Sequence, residues 1–211
     1  MTTLSTALTT TPVIAILRSR SADLFPAVAE ALYAEGVRAV EFTLTTPRAL
    51  DSLREFAQRL PEGLALGAGT VTTPYQAEKA VEAGARYLIT PATSLPVIEE
   101  ARRLGVPVLP GAFTPTEILA AWQGGATMVK LFPGALGGPS YVRAVRAPLP
   151  DVPLVPTGGI SLDAAPSYLT AGATALGMGG PLVGDACEGG DLTALRERAA
   201  RLVGTLVEAT R

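Results

Sequence analysis

The chain has 211 residues, of which 48% are hydrophobic and 17% charged, with a formal net charge of -2. That length bounds one domain or two small ones, and the apolar fraction is enough for a large core and argues against disorder. Lysine and arginine are scattered singly, with no basic stripe for a nucleic-acid partner, and the absence of histidine removes Ser-His-Asp and Cys-His chemistry and the usual His-containing zinc sites.

In chain order, MTTLSTALTT lacks the basic start and continuous apolar stretch of a signal peptide, and residues 1–11 read as an N-terminal extension. No run of about 18 apolar residues follows, so no membrane span is expected. The single cysteine, Cys187, cannot form an internal disulfide, which suits a reducing, cytoplasmic setting. From residue 13 onward short apolar runs alternate with helix-like stretches. Strands are expected at 13–17, 39–44, 65–70, 87–91, 107–111, 128–133, 154–158 and 175–179. Helical patterns occupy roughly 23–35, 47–60, 73–83, 94–104, 115–123, 139–146, 161–171 and 191–208. Asp23, Thr73, Thr114 and Ser161 suit helix starts, and Gly36, Gly84, Gly105, Gly124 and Gly172 stand where helices should stop. Strand–helix units in this alternation predict a parallel sheet, closed as a single-domain (β/α)8 TIM barrel over residues 1–211. The alternative is a doubly wound open sheet.

Strand parity sorts the faces. Met128, Lys130 and Phe132 share one face of the sixth predicted strand, and Val129 and Leu131 the other. In the second, Glu41 and Thr43 oppose Val40, Phe42 and Leu44. The aliphatic sets should face the helices, which turns Lys130 and Glu41 inward, toward the C-terminal mouth where barrel sites lie.

Of the 17 basic residues only Lys79 and Lys130 are lysines, so a lysine in the apolar strand MVKLFP stands out. It can be an amine that snorkels to water or pairs with an acid. It can also be a nucleophile: apolar neighbours lower its pKa, and a neutral lysine forms a Schiff base with a ketone, which arginine cannot do. Glu41 is either an ion-pair partner of Lys130 or Arg18, or the base that moves protons beside an imine. Arg18 is either a rim cation or a fork for a carboxylate or phosphate. PTGGI, with Gly158 and Gly159, and GMGG, with Gly179 and Gly180, follow the last two predicted strands. They are either tight turns or backbone N–H cradles for a phosphate. GAGT at 67–70 is less informative, since it is not a dinucleotide fingerprint. Cys187 reads as incidental and Trp122 as helix packing.

In order, PVIAILR, VEFTLTTP, GAGTV, YLITP, PGAFTPTE, KLFPG, PTGGI and GMGGPLV resemble the 2-keto-3-deoxy-6-phosphogluconate (KDPG) aldolases. That family also takes in 4-hydroxy-2-oxoglutarate (KHG) and 2-keto-3-deoxy-6-phosphogalactonate aldolases. The resemblance covers about residues 12 to 185. It implies a class I, metal-independent aldolase with no cofactor, on a (β/α)8 barrel, as a homotrimer acting on a small keto-acid sugar phosphate. It implies Lys130 as the Schiff-base lysine and Glu41 as the acid–base group. Thr70, Pro91, Phe132 and Thr157 match positions around a pyruvyl group, and Gly158 and Gly159 the phosphate turn. Arg18 matches an arginine found in part of the family. Two positions depart from the pattern: Thr45 stands where many members have a carboxylate-binding arginine, and Gly180 where many have a phosphate-binding serine. Arg18 or Arg48 would then supply the cation. The expected reaction is reversible cleavage of KDPG to pyruvate and glyceraldehyde 3-phosphate. The alternatives are KHG or the galactonate epimer as substrate, or a phosphate-binding isomerase or epimerase without lysine chemistry.

Overall fold

The computed structural model describes residues 3–209. A short helix, α1 (Leu4–Thr10), precedes the first strand, and strands and helices then alternate. They run β1 (Val13–Leu17), α2 (Phe25–Ala34), β2 (Ala39–Thr43), α3 (Ala49–Ala57), β3 (Ala65–Gly69), α4 (Pro74–Glu82), β4 (Leu88–Ile89) and α5 (Leu95–Arg103). The second half continues with β5 (Val108–Leu109), β6 (Gly111–Ala112), α6 (Pro115–Gln123), β7 (Val129–Leu131), α7 (Gly134–Arg146), β8 (Leu154–Pro156), α8 (Ala165–Thr170) and β9 (Leu176–Met178). Last come α9 (Gly180–Val183), a 3-10 turn (Ala186–Glu188) and α10 (Leu192–Ala209). No helix among the described residues is long and apolar enough to cross a membrane.

Every strand pair is parallel. The ladders run β5-β4-β3-β2-β1-β9 in one set and β6-β7-β8 in another. The result is a curled parallel sheet of TIM-barrel-like order, but its ladder is not continuous. The fifth expected strand is split at Pro110, which has no N–H to give. β8 and β9 meet in a single bridge, Thr157 to Gly177. The expectation of a closed barrel is therefore met only in part: the sheet is parallel and curled, but two seams leave it unclosed.

Local signals explain some of the helix starts. Thr73 accepts from the Gln76 N–H, and Thr114 and Glu117 form a reciprocal capping box. Several expected boundaries shift. α2 starts at Phe25 behind Leu24, because Asp23 is taken up by the Ser21 hydroxyl and by Arg48. Ser161 caps Ala164 one turn before α8 begins. α7 starts at Gly134 and is kinked at Gly138, so the expected 139–146 is only its second half.

The parity expectation holds. Val40, Phe42, Val129 and Leu131 belong to the core between strands and helices. Ala39, Tyr87, Ile89 and Met128 face the sheet interior, where Leu4, Ala7 and Leu8 of α1 join them. The expected N-terminal extension is thus a helix that stoppers the early ends of the strands.

Candidate active site

Lys130 sits in the middle of β7 with 6% of its surface exposed. Its Nζ lies 5.0 Å from the centroid of the Phe132 ring. Burial pushes its pKa down; Glu41 pulls it back up, and Arg18 adds to the lowering. Glu41, on β2, is 1% exposed. Its carboxylate lies over Gly69 of β3, where a Cβ would stand 2.0 Å from Oε1. Oε2 is buried without a hydrogen-bond partner. Burial pushes the Glu41 pKa up, and Lys130 and then Arg18 oppose it. Glu41, Lys130 and Arg18 take part in none of the ion pairs among the described residues. The ion-pair explanation of these residues therefore has no geometric support. Burial instead disfavours the charged form of each, which favours an amine free to attack a carbonyl and makes the carboxylate, when ionised, a stronger base.

A cavity of ≈ 220 Å³ opens above them. Arg18, Thr70, Pro91, Lys130, Phe132 and Thr157 line it, with Gly158, Gly159, Gly179 and Gly180 along one side. Every candidate site residue is on this wall except Glu41, which is buried beside Gly69, and the alternative cation Arg48. The Arg18 guanidinium donates to the Thr70 hydroxyl at 3.3 Å. Thr70 holds a left-handed φ of 60°, an uncommon state for a β-branched residue and one that clusters at functional sites. Thr157 is buried, and its hydroxyl donates to the Val155 carbonyl at 3.1 Å. The turn after β8 has consecutive positive φ values, 95° at Gly158 and 72° at Gly159. The N–H groups of Gly158, Gly159 and Gly180 have no backbone acceptor among the described residues. Such groups form a concave donor set for an anion.

Arg18 and Lys130 are the cations of this cavity. Thr45 and Arg48 border a separate groove, and Arg48 is paired with Asp23, so the structure does not bring Arg48 to the site. Cys187 is buried, its thiol pushed up to about 12 by burial and by Glu188, and it does not line the cavity. Trp122 packs against the core. No cluster of three His, Cys, Asp or Glu side chains able to hold a metal occurs among the described residues. Sequence reasoning missed the apolar wall of Ile16, Pro181 and Val183, although Ile16 has the inward parity of β1. It also missed Gly69, whose role appears only once β2 and β3 are set side by side.

A family model described as KDPG and KHG aldolase matches residues 4–197. A probable 2-dehydro-3-deoxy-6-phosphogalactonate aldolase of Rhizobium meliloti (strain 1021) is 36% identical over 189 residues, covering 89% of this chain and 88% of the relative. A 2-dehydro-3-deoxy-phosphogluconate aldolase of Pseudomonas aeruginosa is 40% identical over 159 residues, 75% of this chain and 70% of the relative. Among solved structures, the KDPG aldolase of Legionella pneumophila, with pyruvate captured as a covalent carbinolamine, superposes with a TM-score of 0.84. It is 29% identical, over 94% of this chain and 97% of that one.

Proposed function

The chain belongs to the KDPG and KHG aldolase family, and from that premise we propose that Lys130 is the Schiff-base nucleophile and Glu41 the proton-transfer group of its reaction. The protein is a carbon–carbon lyase, which ends the isomerase alternative. The observation that carries the site assignment is Lys130 itself: a buried lysine without an ion pair, opening on a cavity, with its charged form disfavoured.

The substrate we assign is KDPG, in line with the relative from Pseudomonas aeruginosa. The Lys130 amine attacks the C2 ketone, and loss of water from the carbinolamine leaves an iminium. Glu41 takes the proton of the C4 hydroxyl, directly or through a water. The C3–C4 bond breaks, its electron pair moves into the iminium to form an enamine, and glyceraldehyde 3-phosphate leaves. Protonation at C3 and addition of water release pyruvate and the free amine. Arg18 holds the keto-acid carboxylate, Thr70, Pro91, Phe132 and Thr157 surround the pyruvyl group, and the glycine turns at 158–159 and 179–180 receive the phosphate.

A second reading has support of its own. The Rhizobium relative is named for the galactonate epimer, and Gly180 offers the phosphate no hydroxyl. Relative kcat/KM on the two epimers and on unphosphorylated KHG separates these readings. The architecture we infer is a single domain with its seams closed as a (β/α)8 barrel. This is supported by Thr127 N–H donating to the Val108 carbonyl at 2.9 Å and Thr174 N–H to that of Leu154 at 2.8 Å. We also infer a homotrimer, supported by the exposed Tyr75, Leu95, Leu119 and Leu136 on successive helices.

The test is intact mass and peptide mapping after treatment with pyruvate and borohydride. A reduced pyruvyl adduct on Lys130 is expected, absent without borohydride and absent in Lys130→Ala, which should have no detectable cleavage. An adduct elsewhere, or none on folded protein, would overturn the assignment.

A further inference from the structure

Tyr87 is a fully buried group that the mechanism above does not use. It precedes β4 and faces the sheet interior with Ile89, while Leu88 faces the helices. Its side chain does not stay over its own strand. The hydroxyl donates to the carbonyl of Val40 on β2 at 2.7 Å, and β3 lies between β4 and β2, so the side chain crosses β3. It crosses at Gly67, where a Cβ would stand 2.3 Å from Cε2 of the ring. Gly67 is the register partner of Glu41. The space beside Glu41 on the neighbouring strand is therefore filled by an aromatic ring. The carboxylate lies instead over Gly69, two residues further toward the cavity. A side chain at 67 would evict the ring, and one at 69 would evict the carboxylate.

We propose that Tyr87 is a positioning residue for Glu41: its ring, laid across Gly67, is the floor that turns the carboxylate toward the cavity and bars water from beneath it. The inference rests on the assignment of Glu41 as the proton-transfer group. Two independent observations agree with it. Oε2 of Glu41 has no hydrogen-bond partner. The Tyr87 hydroxyl has its pKa raised by burial and further by the Glu41 charge, which puts the two groups within electrostatic reach. The charged and titratable groups facing Glu41 are Lys130 from β7, Arg18 beyond β1 and Tyr87. The Tyr87 hydroxyl is engaged by Val40, so the ring, not the hydroxyl, carries the effect.

The experiment compares Tyr87→Phe, Tyr87→Leu and Glu41→Gln for kcat, the pH profile of kcat, exchange of the pyruvate methyl protons and the borohydride adduct. Tyr87→Phe keeps the ring and should stay within about threefold of the parent. Tyr87→Leu should lower kcat and methyl exchange about 10- to 100-fold while still forming the adduct. Its acid limb should move to lower pH, because water reaching Glu41 relieves the burial that holds its pKa up. If Tyr87→Leu does not reach a native melting temperature, Tyr87→Met, which keeps bulk without a flat ring, is judged by the same criteria. Parent-like kcat and acid limb in the ringless variant overturn the proposal, as does an adduct lost in step with kcat. Glu41→Gln separates the two levels. If it retains exchange, the base assignment itself fails. If it loses exchange while the ringless variant does not, only the role of Tyr87 fails.

Discussion

At the early ends of the strands α1 lays Leu4, Ala7 and Leu8 against an interior of Ala39, Tyr87, Met128 and their neighbours; at the late ends the same sheet opens on Lys130, Arg18 and glycine turns. The floor consists of side chains that exclude water. The mouth combines side chains with the exposed backbone of two glycine turns, with N–H groups left over and one strained threonine. The comparison shows why the two titratable groups of the site behave as they do. Glu41 and Lys130 sit at the boundary, and for both the largest influence on pKa is burial rather than a neighbouring charge.

That division can be broken from either side. At the floor the expected change is in stability. Leu4 is 1% exposed in α1, and Leu4→Ala should lower stability by about 2 kcal/mol, the low end for a buried leucine, because a terminal helix can partly relax. Urea unfolding gives that number, and kcat should not change. A fall in kcat at full stability would mean that α1 tunes the site directly. At the mouth, Arg18→Leu removes a cation that the proposed carboxylate grip depends on. A charge-assisted hydrogen bond contributes about 1.5–3 kcal/mol, so KM for the keto acid should rise roughly 10- to 100-fold, with the adduct still formed at saturating pyruvate. A loss in kcat with KM intact would instead place Arg18 as a support for Thr70, whose hydroxyl it holds.

How far each end was legible in the sequence follows from the range of the forces that build it. Lys130 and Glu41 could be turned inward by parity alone, since alternation along a strand is local, and the turn glycines were visible as composition. The floor was not. LSTALTT has Leu4, Ala7 and Leu8 at helical spacing, but the helix is only 7 residues long, a length that is marginal without a partner surface. Its stability comes from the strand interiors it covers, and these are distant in sequence. Gly67 and Gly69 were similarly opaque. Their meaning lies in the register Glu41 to Gly67 and Thr43 to Gly69, which no local pattern encodes. The break falls at Pro110 within PVLPG, where the proline has no N–H to give a ladder.

The smallest expected effect probes whether a backbone mouth is complete. Gly180 lies outside the left-handed region, and a Cβ built on it meets nothing within 4 Å. Gly180→Ser should therefore fold without rearrangement and leave stability within about 0.5 kcal/mol of the parent. Its hydroxyl would add one donor to the turns at 158–159 and 179–180. If those N–H groups already satisfy a phosphate, the added donor competes with water for an exposed oxygen and gains little. A fall in KM of about three- to fivefold is expected, consistent with a net hydrogen bond of roughly 0.5–1 kcal/mol, and only for phosphorylated substrate. Steady-state kinetics on KDPG and on unphosphorylated KHG supply the contrast. An equal gain on both would mean that the hydroxyl reaches the keto acid and that the phosphate lies elsewhere. No gain on either would mean that the glycine turn holds its anion through backbone alone, and that the missing serine costs this chain nothing in affinity.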